Sequence, residues 1–219
     1  MYESEILDVY RKCNVRGFPI NCKDIVKGLG FDLISYEDLA ESHDDYKRLC
    51  MCSNDAFTHY GDRMVIFYNP KSNRGRIRFS IMHEIGHYVL QTESEDEADS
   101  FAANILAPPA IILDKNLKSA DEISRYFDLS VSAANSAVIG LKKYNITAGS
   151  DLVSYFRAFS RETNLISSVP FIQVKTAHKK RTRRRKLFEE RESWMLKNVP
   201  SFQSLAFISR ERDAFFPFG

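Results

Sequence analysis

The chain has 219 residues, 44% of them hydrophobic and 27% charged, with a formal net charge of +2. That length buries a real core and fits one domain plus an appendage. No run approaches the roughly eighteen apolar residues of a membrane span, Glu3, Glu5 and Asp8 argue against a signal peptide, and Cys13, Cys22, Cys50 and Cys52 form no CxxC pair, so reduced thiols in a cytoplasmic setting are expected.

In chain order, Glu3 to Cys13 reads as a short helix. Asn21 caps a second helix that ends at Gly28-Leu29-Gly30. Phe31 to Tyr36 reads as a strand. Residues 41–54 are polar and read as a loop. Cys50-Met51-Cys52 inside it has no second Cys/His pair at metal spacing, so incidental thiols are expected. Ala56 to Tyr60 and Met64 to Tyr68 flank Gly61-Asp62, the pattern of a β-hairpin.

The next helix carries the chemistry. Ile81, Met82, Ile85 and Val89 form its apolar stripe. Within it stands His83-Glu84-Ile85-Gly86-His87. Positions i and i+4 share a helix face, so both imidazoles can aim at one point. That is the zinc-binding pair of a metallopeptidase, with Glu84 as the candidate base. The plain alternative is two core-helix histidines bonded to backbone carbonyls. Both histidines sit off the main apolar face, where a metal site can open to substrate. Gly86 costs helix stability relative to alanine, which is easier to explain if another backbone or a substrate packs closely there.

A zinc hydrolase needs a third protein ligand and an open fourth position. Glu95 to Leu106 reads as a second helix, with Ala98, Phe101, Ala102, Ile105 and Leu106 as its core stripe and Pro108-Pro109 as its end. Glu95 and Asp99 are four apart and point the same way. Glu95 is the candidate zinc ligand. Asp99 is the candidate acceptor of the spare ring N–H of a ligating histidine. Glu93, Asp96 and Glu97 read as a solvated acidic first turn favoured by the helix dipole. In this scheme zinc on His83, His87 and Glu95 acidifies a water and polarises the scissile carbonyl, and Glu84 moves the proton to the leaving amine. His59, Tyr60 or a later tyrosine are the candidates for stabilising the oxyanion.

The segment RFSIMHEIGHYVL followed by ESEDEADSFAANILAP resembles the ImmA/IrrE family of zinc metallopeptidases of phages, mobile elements and bacteria. Glu95, Ala98, Asp99, Phe101, Ala102 and Pro108 match the family's second motif position by position. The lead-in is also similar: the strand Met64 to Tyr68, Asn69, a polar loop, then Arg76-Ile77-Arg78-Phe79. The resemblance covers residues 1–145 and is strongest over 63–109. It implies an α+β fold, a mostly helical zincin-like metallopeptidase domain over residues 1–150 with a small β-sheet. It also implies a gluzincin-like Zn2+ site and, as protein substrate, a helix-turn-helix transcriptional repressor.

Ser119 and Glu122 form a capping box for a helix through Phe127. Asp128-Leu129-Ser130 reads as a turn and Val131 to Tyr144 as another helix. This pair invites a DNA reading, but Ser130 to Ile139 holds no Lys or Arg to meet phosphates or guanines, so packing against the core is expected. Residues 151–219 form a C-terminal region with 14 Lys/Arg against 7 Asp/Glu, a net of +7, which leaves −5 on residues 1–150. Most of the excess is the run Lys179 to Lys186, expected to be a basic linker, with weak nucleic-acid contact as the alternative. Trp194, Phe202, Phe207, Phe215, Phe216 and Phe218 are too many aromatics for pure disorder. Three functions compete: a repressor-cleaving protease, a metal-binding regulator acting by contact, and a DNA-binding regulator.

Overall fold

Apolar residues at helical spacing bury one side of α1 (Glu3–Lys12), with Ile6, Leu7, Val9 and Tyr10 inward, Glu3 and Glu5 in its first turn and Arg11 and Lys12 in its last. That charge order complements the helix dipole. The computed structural model describes residues 2–40, 42–60, 64–141, 144, 150–161 and 197. The basic run Lys179 to Lys186 and the aromatics from Trp194 onward lie outside them. No helix among the described residues is long and apolar enough to cross a membrane.

The Asn21 side chain accepts the backbone N–H of Lys23 and starts α2 (Cys22–Gly28), which leads into β1 (Phe31–Ser35). The loop expected over 41–54 is instead mostly helix. After α3 (Tyr36–Leu39), α4 (His43–Cys52) fills it. The cause is local. Ser42 Oγ accepts the N–H of Asp45 at 3.1 Å and donates to the Asp45 carboxylate at 2.9 Å, which closes the helix N-terminus. Tyr46, Leu49 and Cys50 then share one face and pack into a small cluster with Tyr36, Leu39, Phe57, Val65 and Phe67.

β2 (Ala56–Tyr60) and β3 (Met64–Tyr68) pair antiparallel, with Thr58 opposite Ile66, as the hairpin reading anticipates. β1 runs parallel to β3, so the three-stranded mixed sheet has the order β1-β3-β2. The pleat sends Phe57, Val65 and Phe67 to the small cluster, and Ile66 to the main core.

That core lies against α5 (Arg74–Leu90) and α6 (Glu95–Leu106), and Ile81, Met82, Ile85, Phe101, Ala102 and Ile105 are buried in it. Pro108-Pro109 does end α6, but Pro109 also opens α7 (Pro109–Asp114). Proline has no N–H to lose at a first helical position. The capping box of Ser119 and Glu122 starts α8 (Ala120–Phe127), and Asp128 ends it with φ of 55°. α9 (Val131–Leu141) follows. Ile123, Phe127 and Ala134 are buried in the core, so this helix pair packs on the domain. α10 (Ser150–Arg161) adds Leu152 and Phe156 to the same core. The fold is α+β: mostly helical, with one small sheet.

Candidate metal centre

α5 supplies the two histidines. Its C-terminus turns at Gln91, in the left-handed region at φ 53°, and Ser94 caps α6 by accepting the N–H of Glu97. This short connection lays α6 across α5. Gly86 makes the approach: a Cβ there would stand 3.1 Å from the Ala98 carbonyl oxygen and 3.2 Å from Ala98 Cα. The packing backbone anticipated from a glycine inside the motif is α6 itself. The crossing puts Glu95 and Asp99 over His83 and His87.

His83 Nε2 and His87 Nε2 lie 3.0 Å apart, and the Glu95 carboxylate stands 3.1 Å from the first and 3.5 Å from the second. On the far side of each ring, His83 Nδ1 meets Asp99 Oδ1 at 2.7 Å and His87 Nδ1 meets the Thr92 carbonyl at 3.0 Å. A carbonyl and a carboxylate only accept, so both Nδ1 atoms carry the ring proton. An imidazole that carries its proton on Nδ1 offers the Nε2 lone pair to a metal, and here both Nε2 atoms and a carboxylate face one point. Three acceptors within 4.8 Å of one another attract a cation. Tetrahedral zinc, with bonds of about 2.0–2.1 Å, has donor–donor edges of roughly 3.3–3.4 Å. The observed separations bracket that value, so the residues fit the ion.

Glu84 lies in the same cleft, which measures about 350 Å³ and is also lined by Asp55, Thr58, Tyr60, Arg76 and Glu93. The Thr58 hydroxyl donates to Glu84 Oε2 at 2.6 Å. Arg76 Nε donates to Asp55 Oδ1 at 2.9 Å, and its second nitrogen bonds Oδ2 at 2.6 Å. These hydrogen bonds hold the Asp55 carboxyl below its ordinary range.

The structure thus brings His83, Glu84, His87, Glu95 and Asp99 to one cleft. Of the oxyanion candidates, Tyr60 lines it, whereas His59 alternates to the face of the strand shared with Phe57. Glu93, read as solvated, stands at the cleft as well. Thr58, Asp55 and Arg76 escaped the sequence reading. The signal for Thr58 was the period of two in Ala56, Thr58 and Tyr60, all of which line the cleft. All four cysteines are free thiols, and none joins the cluster.

Residues 33–138 match the model of the IrrE N-terminal-like domain, a peptidase family. Comparison with curated proteins gives no match. The matched segment runs from within β1 through β2 and β3, the motif helix and the helix that brings Glu95. On that match residues 33–138 are similar to the IrrE N-terminal-like domain of the ImmA/IrrE metallopeptidases.

Proposed function

We propose that the chain is a zinc-dependent endopeptidase that cuts a helix-turn-helix transcriptional repressor at one site. The observation that carries the hydrolase reading is the convergence of His83 Nε2, His87 Nε2 and the Glu95 carboxylate, with both Nδ1 protons committed elsewhere. His83, His87 and Glu95 hold the metal, and Asp99 and the Thr92 carbonyl orient the rings. Zinc bound there supplies an acidified water and polarisation of a carbonyl.

The chain's own groups do the rest. The Glu84 carboxylate accepts the proton of the attacking water and delivers it to the nitrogen of the leaving amine. Tyr60, which lines the cleft, is the candidate donor to the oxygen that gains charge. Among the described residues no strand pairs with the outer edge of β2, which borders the cleft, and an extended peptide can lie along such an edge. The repressor as substrate follows from the family resemblance.

The test pairs the purified chain with a helix-turn-helix repressor encoded beside it. About one zinc per chain and a single cut mapped by mass spectrometry are expected. Glu84→Gln keeps zinc and fold but makes no cut, because an amide cannot take the water's proton. His83→Ala and His87→Ala lose zinc, and Asp99→Ala weakens it by about tenfold to a hundredfold. Repressor inactivated without a cut, and equally by Glu84→Gln, overturns the protease reading in favour of action by contact.

A further inference from the structure

We propose that Thr58 is a positioning residue of this site: its hydroxyl sets the rotamer and plane of the Glu84 carboxylate and so directs which oxygen takes the proton. The inference rests on the reading of Glu84 as the base. Its physical ground is a bond between two elements. Thr58 stands in the middle of the edge strand β2, and Glu84 stands on α5, 26 positions further along the chain.

The Thr58 hydroxyl donates to Glu84 Oε2 across 2.6 Å, a short and well-made hydrogen bond. The donor is rigid. Thr58 is 5% exposed, its backbone is registered opposite Ile66 in β3, and a β-branched side chain has little χ1 freedom. The strand itself is pinned to the helix a second time. Asp55, just before β2, holds Arg76 of α5 through two parallel hydrogen bonds. Glutamate has three side-chain torsions, and its last is broad. A fixed donor on one oxygen removes that breadth.

The consequence concerns the proton's route. Oε2 already accepts the threonine proton and keeps accepting it when the carboxyl is protonated on the other oxygen. The threonine bond takes one lone pair of Oε2 and lowers that oxygen's basicity, which favours Oε1 for the water's proton and for its delivery to the leaving nitrogen. A hydroxyl held at one oxygen favours one of two carboxylate edges without adding charge to the site. Thr58 is bonded to Glu84 and belongs to none of the three metal-binding positions, so its role in the proton transfer is to hold Glu84.

Thr58→Val keeps the shape and the strand preference and removes the donor. Thr58→Ser keeps the donor. With the repressor as substrate, Thr58→Val is expected to lower kcat by about tenfold to a hundredfold while KM stays within about twofold. Thr58→Ser should restore most of kcat. Zinc content and melting midpoint should match wild type in both. Crystals of zinc-loaded Thr58→Val should show the Glu84 carboxylate turned or split between rotamers, and those of Thr58→Ser should show it in place. Glu84 unmoved in Thr58→Val overturns the proposal. So does a kcat of Thr58→Ser as low as that of Thr58→Val, or an effect on KM and zinc affinity in place of kcat. If the wild-type chain binds zinc and cuts nothing, the protease reading fails, and the crystals still decide whether Thr58 sets Glu84.

Discussion

Gly86 occupies a position where a side chain and the site's geometry conflict. Alanine there improves helix propensity by about 1 kcal/mol. Its Cβ, however, meets Ala98 backbone at 3.1 and 3.2 Å and Phe101 Cδ1 at 3.1 Å. Backbone in the middle of a packed helix yields less than the end of a flexible side chain, and overpacking costs about 1–3 kcal/mol. Gly86→Ala is therefore expected to be net destabilising by up to about 2 kcal/mol. The same push moves α6 away from α5, so the Glu95 carboxylate no longer stands 3.1 Å from His83 Nε2. Zinc affinity should fall although no ligand is altered. Calorimetric titration with zinc beside a thermal melt checks both, and unchanged affinity would show that α6 absorbs the methyl without shifting Glu95. The residues of the site that share one helix were readable because the helical period fixes their direction. The glycine was readable as a close approach. Thr58 was readable only in part: the alternation of β2 groups it with Tyr60, but which face of the sheet meets α5 is not stated by one strand.

Arg78 ties elements together at the scale above. It lies on the motif helix with its side chain 9% exposed. It donates to the carbonyls of Phe127, Asp128 and Ile20, and stands 3.2 Å from the Asp128 carboxylate. One guanidinium thus closes the end of α8 and holds the segment before α2. Arg74 reaches the same carboxylate at 2.8 Å from an exposed position. The two arginines make opposite predictions. Removing a buried charged donor strands the carbonyls, each at about 1–3 kcal/mol, whereas a surface ion pair contributes about 0–1 kcal/mol. Arg78→Met should lower stability by about 3 kcal/mol and Arg74→Met by under about 1 kcal/mol. Urea unfolding of the two variants measures the gap, and equal losses would place the anchor in the Asp128 ion pairs rather than the carbonyls. Sequence patterns revealed the elements with a strong stripe or a capping box, such as α6 and α8. They missed α4, whose buried residues are few and whose start depends on the Ser42–Asp45 exchange. They missed α7 because a proline that ends one helix also begins the next.

At the scale of the molecule, α10 closes the core from the far end of the described chain. Leu152 and Phe156 are buried, and Phe156 packs edge-on to Tyr10 with ring centroids 5.4 Å apart. The Tyr155 hydroxyl donates to the Tyr10 carbonyl at 3.1 Å, and the Tyr10 hydroxyl donates to the Ile105 carbonyl of α6. Arg157 adds an ion pair to Asp114 at the end of α7. A path of contacts therefore runs from α10 through α1 to the helix that carries Glu95. No local pattern announces it, because Tyr155 and Tyr10 are 145 positions apart. Two truncations test the path. A chain ending at residue 161 keeps α10, and a chain ending at residue 149 loses it. Burial of a leucine and a phenylalanine contributes about 1.5–3 kcal/mol each, an upper estimate. The shorter chain should melt lower than the longer by on the order of 10 °C, at about 2–4 °C per kcal/mol. Its zinc affinity should also fall, since α1 no longer braces Ile105. The longer chain should keep both the midpoint and the zinc affinity of the full protein. Equal melting of the two truncated chains would make α10 a passenger on the surface. A chain ending at 161 that melts as low as the one ending at 149 would instead show that residues beyond Arg161 hold α10 in place.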